Sequence, residues 1–127
     1  MTNREQKTAL ITGANTGLGF ELARALAGQG VHVVVAGRNG DKVQAAIGKI
    51  GDMVSGASLE AGIVDLNSLA SVKSFAQDIC KRHTRLDILI NNAGVMALKD
   101  QATTDGFDVQ MQTNVLSHFM ITKELFP

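Results

Sequence analysis

Neither sign of charge is in excess: twelve Lys and Arg face twelve Asp and Glu across 127 residues, and no basic run with interleaved aromatics occurs. That balance excludes the electrostatic footprint a nucleic-acid partner requires. Long apolar runs are also missing. The opening MTNREQKT has no apolar segment of a secretory signal, and no stretch approaches the roughly 18 residues of a membrane span, so a cytoplasmic protein without a membrane span is expected. Cysteine is reduced to Cys80, which excludes an internal disulfide. Its place beside Ile79 and Ala76 on the apolar face of a predicted helix makes it a buried, inert thiol. No metal site is expected.

The hydrophobic share is 45%, enough for one domain over residues 1–127 that hides roughly two thirds of its unfolded surface. Short aliphatic runs at 8–12, 31–36, 59–64 and 86–91 predict strands, three of them almost continuously apolar, as strands buried on both faces are. Helical periodicity fills the gaps. Leu18, Leu22 and Leu26 recur every fourth residue, while Val43, Ala46, Ile47 and Ile50 keep i, i+3, i+4, i+7 spacing. Leu69, Val72, Phe75, Ala76 and Ile79 follow the candidate N-cap Ser68. Strands alternating with helices of this length imply an α/β fold of the Rossmann type, a doubly wound parallel sheet with right-handed crossovers.

Between the first strand and first helix stands "TGANTGLG", with Gly13, Gly17 and Gly19. A backbone without β-carbons can turn tightly there, approach a pyrophosphate and pack the helix close to the strand; a side chain added at Gly13 or Gly17 is expected to crowd the turn or the pyrophosphate. The helix N-terminus then favours an anion. Alone, the loop is equally a tight turn with no ligand. Ligands of open α/β sheets bind outside the carboxyl ends of the strands, and every unusual polar cluster lies at such an end: the glycine loop, "GRN" at 37–39, "DL" at 65–66 and "NNAG" at 91–94. Each has a structural alternative, Arg38 as a solvated charge, Asp65 as a helix cap, Asn91 and Asn92 as turn formers.

Those residues carry a resemblance. Thr12 to Gly19 is similar to the TGxxxGxG cofactor loop of the short-chain dehydrogenases/reductases, and Asn91-Asn92-Ala93-Gly94 to that family's NNAG strand end. The likeness covers nearly the whole chain from Thr8, and the run "TTDGFDVQMQTNVLSHFMITKELFP" resembles the retinol dehydrogenase-like branch. It implies strand order 3-2-1-4 and then onward, and a nicotinamide dinucleotide cofactor. Gly13, Asn15, Thr16, Gly17, Leu18 and Gly19 would form the cofactor loop, Asp65 and Leu66 would flank the adenine, and Asn92, Ala93 and Gly94 would approach the ribose on the nicotinamide side. Cofactor choice follows from the residue after strand two. An acid there would bind a ribose 2′-OH, whereas Arg38 offers a charge-assisted contact to a 2′-phosphate, which favours NADP(H).

From Phe107 onward, Met111, Val115, Phe119 and Leu125 lie broadly on one helical face with Asn114. Buried on that face, the Asn114 amide needs a partner, either local backbone or a site. The resemblance assigns it to the family's Asn-Ser-Tyr-Lys tetrad, on a helix distorted at that point, holding a water of the proton relay. His118 reads as a packing residue.

The departure from the family is large, because the chain contains no tyrosine. In that chemistry a Tyr phenol exchanges a proton with the substrate oxygen, its pKa lowered by the Lys four residues on. The chain therefore reads as a truncated, cofactor-binding front half of an NADP-dependent oxidoreductase acting on a carbonyl or alcohol, itself inactive. The alternative is a non-catalytic module that binds NADP(H) or a partner. Strand four, "LDILINN", is expected to leave an open edge through which copies associate.

Overall fold

The four apolar runs pair as parallel strands in the expected order. The computed structural model describes residues 6–94 and 101–125. These form β1 (Thr8–Thr12), α1 (Gly17–Gly28), β2 (His32–Gly37), α2 (Gly40–Met53), β3 (Leu59–Ile63), α3 (Leu69–Arg82), β4 (Ile88–Ile90), α4 (Val109–Met111), a π-helical segment (Gln112–Leu116) and α5 (Ser117–Leu125). The sheet order is β3-β2-β1-β4, every pair parallel, the Rossmann-type α/β arrangement. The chain has two compact units, Met1–Ile63 with Arg85–Asn92, and Val64–Thr84 with Ala93–Pro127. Among the described residues no helix is long and apolar enough to cross a membrane.

The first unit holds the sheet with α1 and α2. Ala9, Ile11, Val33 and Val35 project from β1 and β2 into one core with Ala23, Ala27, Val43, Ala46 and Ile50. The alternate residues Leu10, Thr12, Val34 and Ala36 are buried as well, which explains why these strands carry no polar alternation. Burial of each Val, Leu or Ile contributes about 1.5–3 kcal/mol, so the central strands anchor the loops at their ends. α2 buries Val43, Ala46 and Ile50, the expected stripe, and starts where the Asn39 side chain accepts the Lys42 N–H. α1 departs from the expected stripe. It buries Gly19, Ala23 and Ala27, while Leu22 and Leu26 are half-buried and Leu18 is 69% exposed. Only small residues allow the helix to approach the sheet this closely, so the leucines are turned to its flanks.

Asp87 fastens β4 to β1. Its N–H donates to the Thr8 carbonyl at 2.9 Å, its Oδ2 accepts the Thr8 N–H at 2.8 Å, and Arg85 Nε donates to Oδ1 at 2.9 Å. The Thr8 N–H, joined by the Arg85 charge, holds this carboxyl below its ordinary value. The native chain thus takes up the proton less readily than the unfolded one. The resulting stability is complete above the unfolded carboxyl's pKa and is lost as pH falls through the lower native value. Asp87→Asn is expected to lower the urea midpoint at pH 7 and to flatten the decline of that midpoint below about pH 4. Urea titrations across pH check this, and an unchanged midpoint with an unchanged acid limb contradicts it.

The second unit is helical. α3 follows the predicted cap, Ser68 Oγ accepting the Ser71 N–H, and buries Val72, Phe75, Ala76 and Ile79 as its periodicity requires. Cys80, one position on, is exposed, which corrects the expectation of a buried thiol: at about 100° per residue it lies about 40° beyond Ala76, outside the edge of the buried stripe.

Candidate functional site

In the first unit the glycine loop, the end of β2 and the end of β4 meet at the carboxyl edge of the sheet. Gly13 and Gly17 have φ of 64° and 59°, the left-handed region that only glycine enters at no steric cost. Gly17 has open space where a β-carbon would stand, so a side chain there would not crowd the turn itself, and its cost to the turn is conformational. The crowded position is Gly19. A β-carbon there would lie 2.3 Å from the Gly13 carbonyl oxygen and 2.5 Å from Asn92 Nδ2. Asn92 explains the closeness, since its Nδ2 donates to that carbonyl at 3.3 Å and its backbone N–H donates to Thr12 Oγ1 at 3.0 Å. The NNAG strand end therefore clamps the loop from β4.

Gly37 performs the same service at β2. A β-carbon at Gly37 would stand 2.9 Å from both Asn15 Oδ1 and Val43 Cγ2, so the bare residue lets the Asn15 side chain rest against the strand end. Arg38 follows immediately and is exposed. Asp41 belongs to the first turn of α2. At α1 the N-cap Thr16 makes no side-chain cap bond and the first turn carries no acid, so the positive end of the helix meets no competing carboxylate of its own. Leu18 is exposed beside it. A cavity of about 630 Å³ opens next to the loop, lined by Asn15, Thr16, Gly17, Phe20, Lys42 and Lys49 among others. These features suit a dinucleotide: a bare loop, backbone donors at a helix N-terminus, a cation after β2 and open space above Gly17.

In the second unit Asp65 and Leu66 lie in the turn before α3. Asp65 Oδ1 accepts the Asn67 N–H at 2.9 Å and its own N–H donates to Ser71 Oγ at 3.0 Å, so this carboxylate shapes the turn. Leu66 is buried, and its carbonyl accepts from Gln112 Nε2 at 3.4 Å and from Ser117 Oγ. Thr113 Oγ1 donates to Asn67 Oδ1 at 2.6 Å, while Gln112 also bonds Thr103 and Asp105. Gln112, Thr113 and Ser117 thus hold the 65–67 turn, a role the sequence reading missed. Three buried-side polar residues within six positions were the available signal.

Asn114 sits in the π-helical segment, the distortion that the family resemblance implied. It is exposed, as are Met111, Val115 and Phe119, and the buried face of this helix is instead Gln112, Thr113, Ser117, His118 and Ile121. This corrects the expectation of a buried amide on an apolar face. The π turn adds a residue to the repeat and rotates the face that regular α-periodicity projects. Gly94, exposed at the end of NNAG, approaches this amide: a β-carbon on Gly94 would be 3.3 Å from Asn114 Oδ1. Ala93, its neighbour, is half-buried. His118 is buried with Nδ1 3.4 Å from the Asn114 carbonyl, and burial pushes its pKa down, which keeps it neutral at pH 7. It packs, as expected.

The family model described as short chain dehydrogenase matches residues 7–127. Retinol dehydrogenase 13 from Homo sapiens is 42% identical over 119 residues, covering 94% of this chain and 36% of that protein. The chain therefore spans about a third of that relative's length. Among solved structures, an uncharacterized protein from Mycobacterium Paratuberculosis is 42% identical with a TM-score of 0.85 over 96% of this chain and 42% of its own. A metagenomic short-chain oxidoreductase in complex with NADP is 27% identical with a TM-score of 0.80, covering 93% of this chain and 54% of that one.

Proposed function

The chain belongs to the short chain dehydrogenase family, and from that premise we propose that its first unit is an NADP(H)-binding module of an oxidoreductase acting on a carbonyl or alcohol. The observation that carries this reading is the clamped glycine loop, in which Gly19 leaves room for the Gly13 carbonyl and the Asn92 amide and so aims the N-terminus of α1 outward. A related oxidoreductase crystallised with NADP supports the choice of ligand class. Gly13, Asn15, Thr16, Gly17 and Gly19 would receive the pyrophosphate, Leu18 would be covered by the bound nucleotide, and Arg38 would face a 2′-phosphate. Asp65, Leu66, Ala93 and Gly94 are proposed for the adenine and ribose contacts implied by the family. Asn114, exposed on its π segment, is proposed to hold a water of the proton relay.

When bound, the nicotinamide supplies hydride exchange. The protein's own residues bind and orient it, but a phenol to carry the substrate proton is missing from these 127 residues. The expected result is measurable NADPH binding, read as a change in nicotinamide fluorescence, with no absorbance change at any carbonyl or alcohol tested. Turnover by the purified 127-residue chain would contradict the assignment of proton transfer to a tyrosine, and absence of binding at millimolar NADPH would contradict the module. A single domain, a cytoplasmic setting and association of copies through the β4 edge complete the proposal.

A further inference from the structure

We propose that His32 and Glu60 form a binding site for a divalent transition-metal ion such as Zn²⁺, at the amino end of the sheet and away from the glycine loop. The parallel register brings the two together. Val33 stands opposite Leu59, so His32, the first residue of β2, is flanked on β3 by Ser58 and Glu60, which share one face of the pleat. Separated by 28 residues, His32 and Glu60 carry no ligand spacing in the sequence. The backbone here is held from both sides, the His32 N–H donating to the Lys7 carbonyl at 2.8 Å and the Val33 N–H to the Ser58 carbonyl at 3.0 Å. His32 Nε2 lies 2.8 Å from Glu60 Oε1, and its Nδ1 lies 2.7 Å from Ser58 Oγ. The two side chains are 19% and 18% exposed, so solvent reaches a pair whose geometry is largely fixed.

An imidazole nitrogen beside a carboxylate oxygen is a donor set that suits Zn²⁺, Ni²⁺ or Cu²⁺ better than Mg²⁺, which takes oxygen ligands. Bonds of about 2.0–2.2 Å at a tetrahedral angle separate two donors by about 3.4 Å, so the pair opens by only about 0.6 Å to admit the ion. Ser58 supplies the outer contact. With Oγ accepting the Nδ1–H, the tautomer is fixed and the Nε2 lone pair is aimed at Glu60. Two acceptor atoms then face each other at 2.8 Å, an arrangement that requires a shared proton or a metal ion between them. Coordination replaces that proton with the ion and releases it to solvent. Positions that this pair does not fill remain for water and other donors.

The test is an NMR titration of the isotopically labelled 127-residue chain with Zn²⁺, followed through the imidazole nitrogens, with Mg²⁺ as the control. Saturable binding below millimolar Zn²⁺ is expected to move the His32 Nε2 resonance more than Nδ1 and to raise the urea midpoint, whereas Mg²⁺ does neither. Glu60→Gln keeps an oxygen acceptor of the same shape without its charge and is expected to weaken Zn²⁺ by about tenfold or more. Ser58→Ala is expected to weaken it by about tenfold. A His32 imidazole unmoved at millimolar Zn²⁺, an equal response to Mg²⁺, or an affinity unchanged in both variants overturns the site. The wild-type imidazole readout decides the question even where a variant fails to fold, and it is independent of whether the chain binds a nicotinamide nucleotide.

Discussion

Gly19→Ala is expected to abolish nicotinamide nucleotide binding and to lower stability by about 1–3 kcal/mol, the cost of overpacking a filled site. The added methyl has no rotamer by which to escape, and the atoms it meets are the Gly13 carbonyl and the Asn92 amide bonded to it. Relief requires α1 to lift from the sheet or the loop to move outward. The first loosens Ala23 and Ala27, and the second turns the helix N-terminus away from its ligand. Gly17→Ala is the informative contrast. Its β-carbon meets no protein atom, so the stability of the free chain is penalised only through the left-handed φ, at about 1 kcal/mol. Urea unfolding and NADPH titration of both variants check the pair, and wild-type affinity in Gly19→Ala contradicts the clamped-loop geometry.

Arg38→Asp is expected to move the NADPH/NADH affinity ratio by one to two decades toward NADH. A charge-assisted contact to phosphate is worth about 1.5–3 kcal/mol, and the substituted carboxylate both repels a 2′-phosphate and accepts from a 2′-OH. Arg38 is exposed with no carboxylate partner among the described residues, so its loss disturbs no native ion pair. Equilibrium titration of the variant with each reduced cofactor gives the ratio, and an unchanged ratio makes Arg38 a solvated loop charge.

The sheet was legible because its central strands are apolar on both faces and the helices between them are amphipathic. Val43, Ala46 and Ile50 and the Ser68 cap stand where periodicity and capping chemistry put them. Three features were not legible, for separate physical reasons. In α1 the leucines dominate any hydrophobic pattern, yet close approach to the strand selects Gly19, Ala23 and Ala27, a stripe defined by small size. Around Asn114 the π turn breaks the period on which the expected face was drawn, so that Met111, Val115 and Phe119 emerge exposed. Cys80 differs from buried Ile79 by one residue, about 100° of helix, which composition alone does not resolve.

A heteronuclear NMR titration of the 127-residue chain with NADP⁺ bears most directly on the proposal that the first unit binds a nicotinamide dinucleotide at its glycine loop. The predicted result is saturable shifts of the amides of Gly13, Asn15, Thr16, Gly17, Leu18, Gly19, Arg38 and Asn92. Saturable binding that leaves those amides unmoved, or no binding at millimolar cofactor, would contradict it.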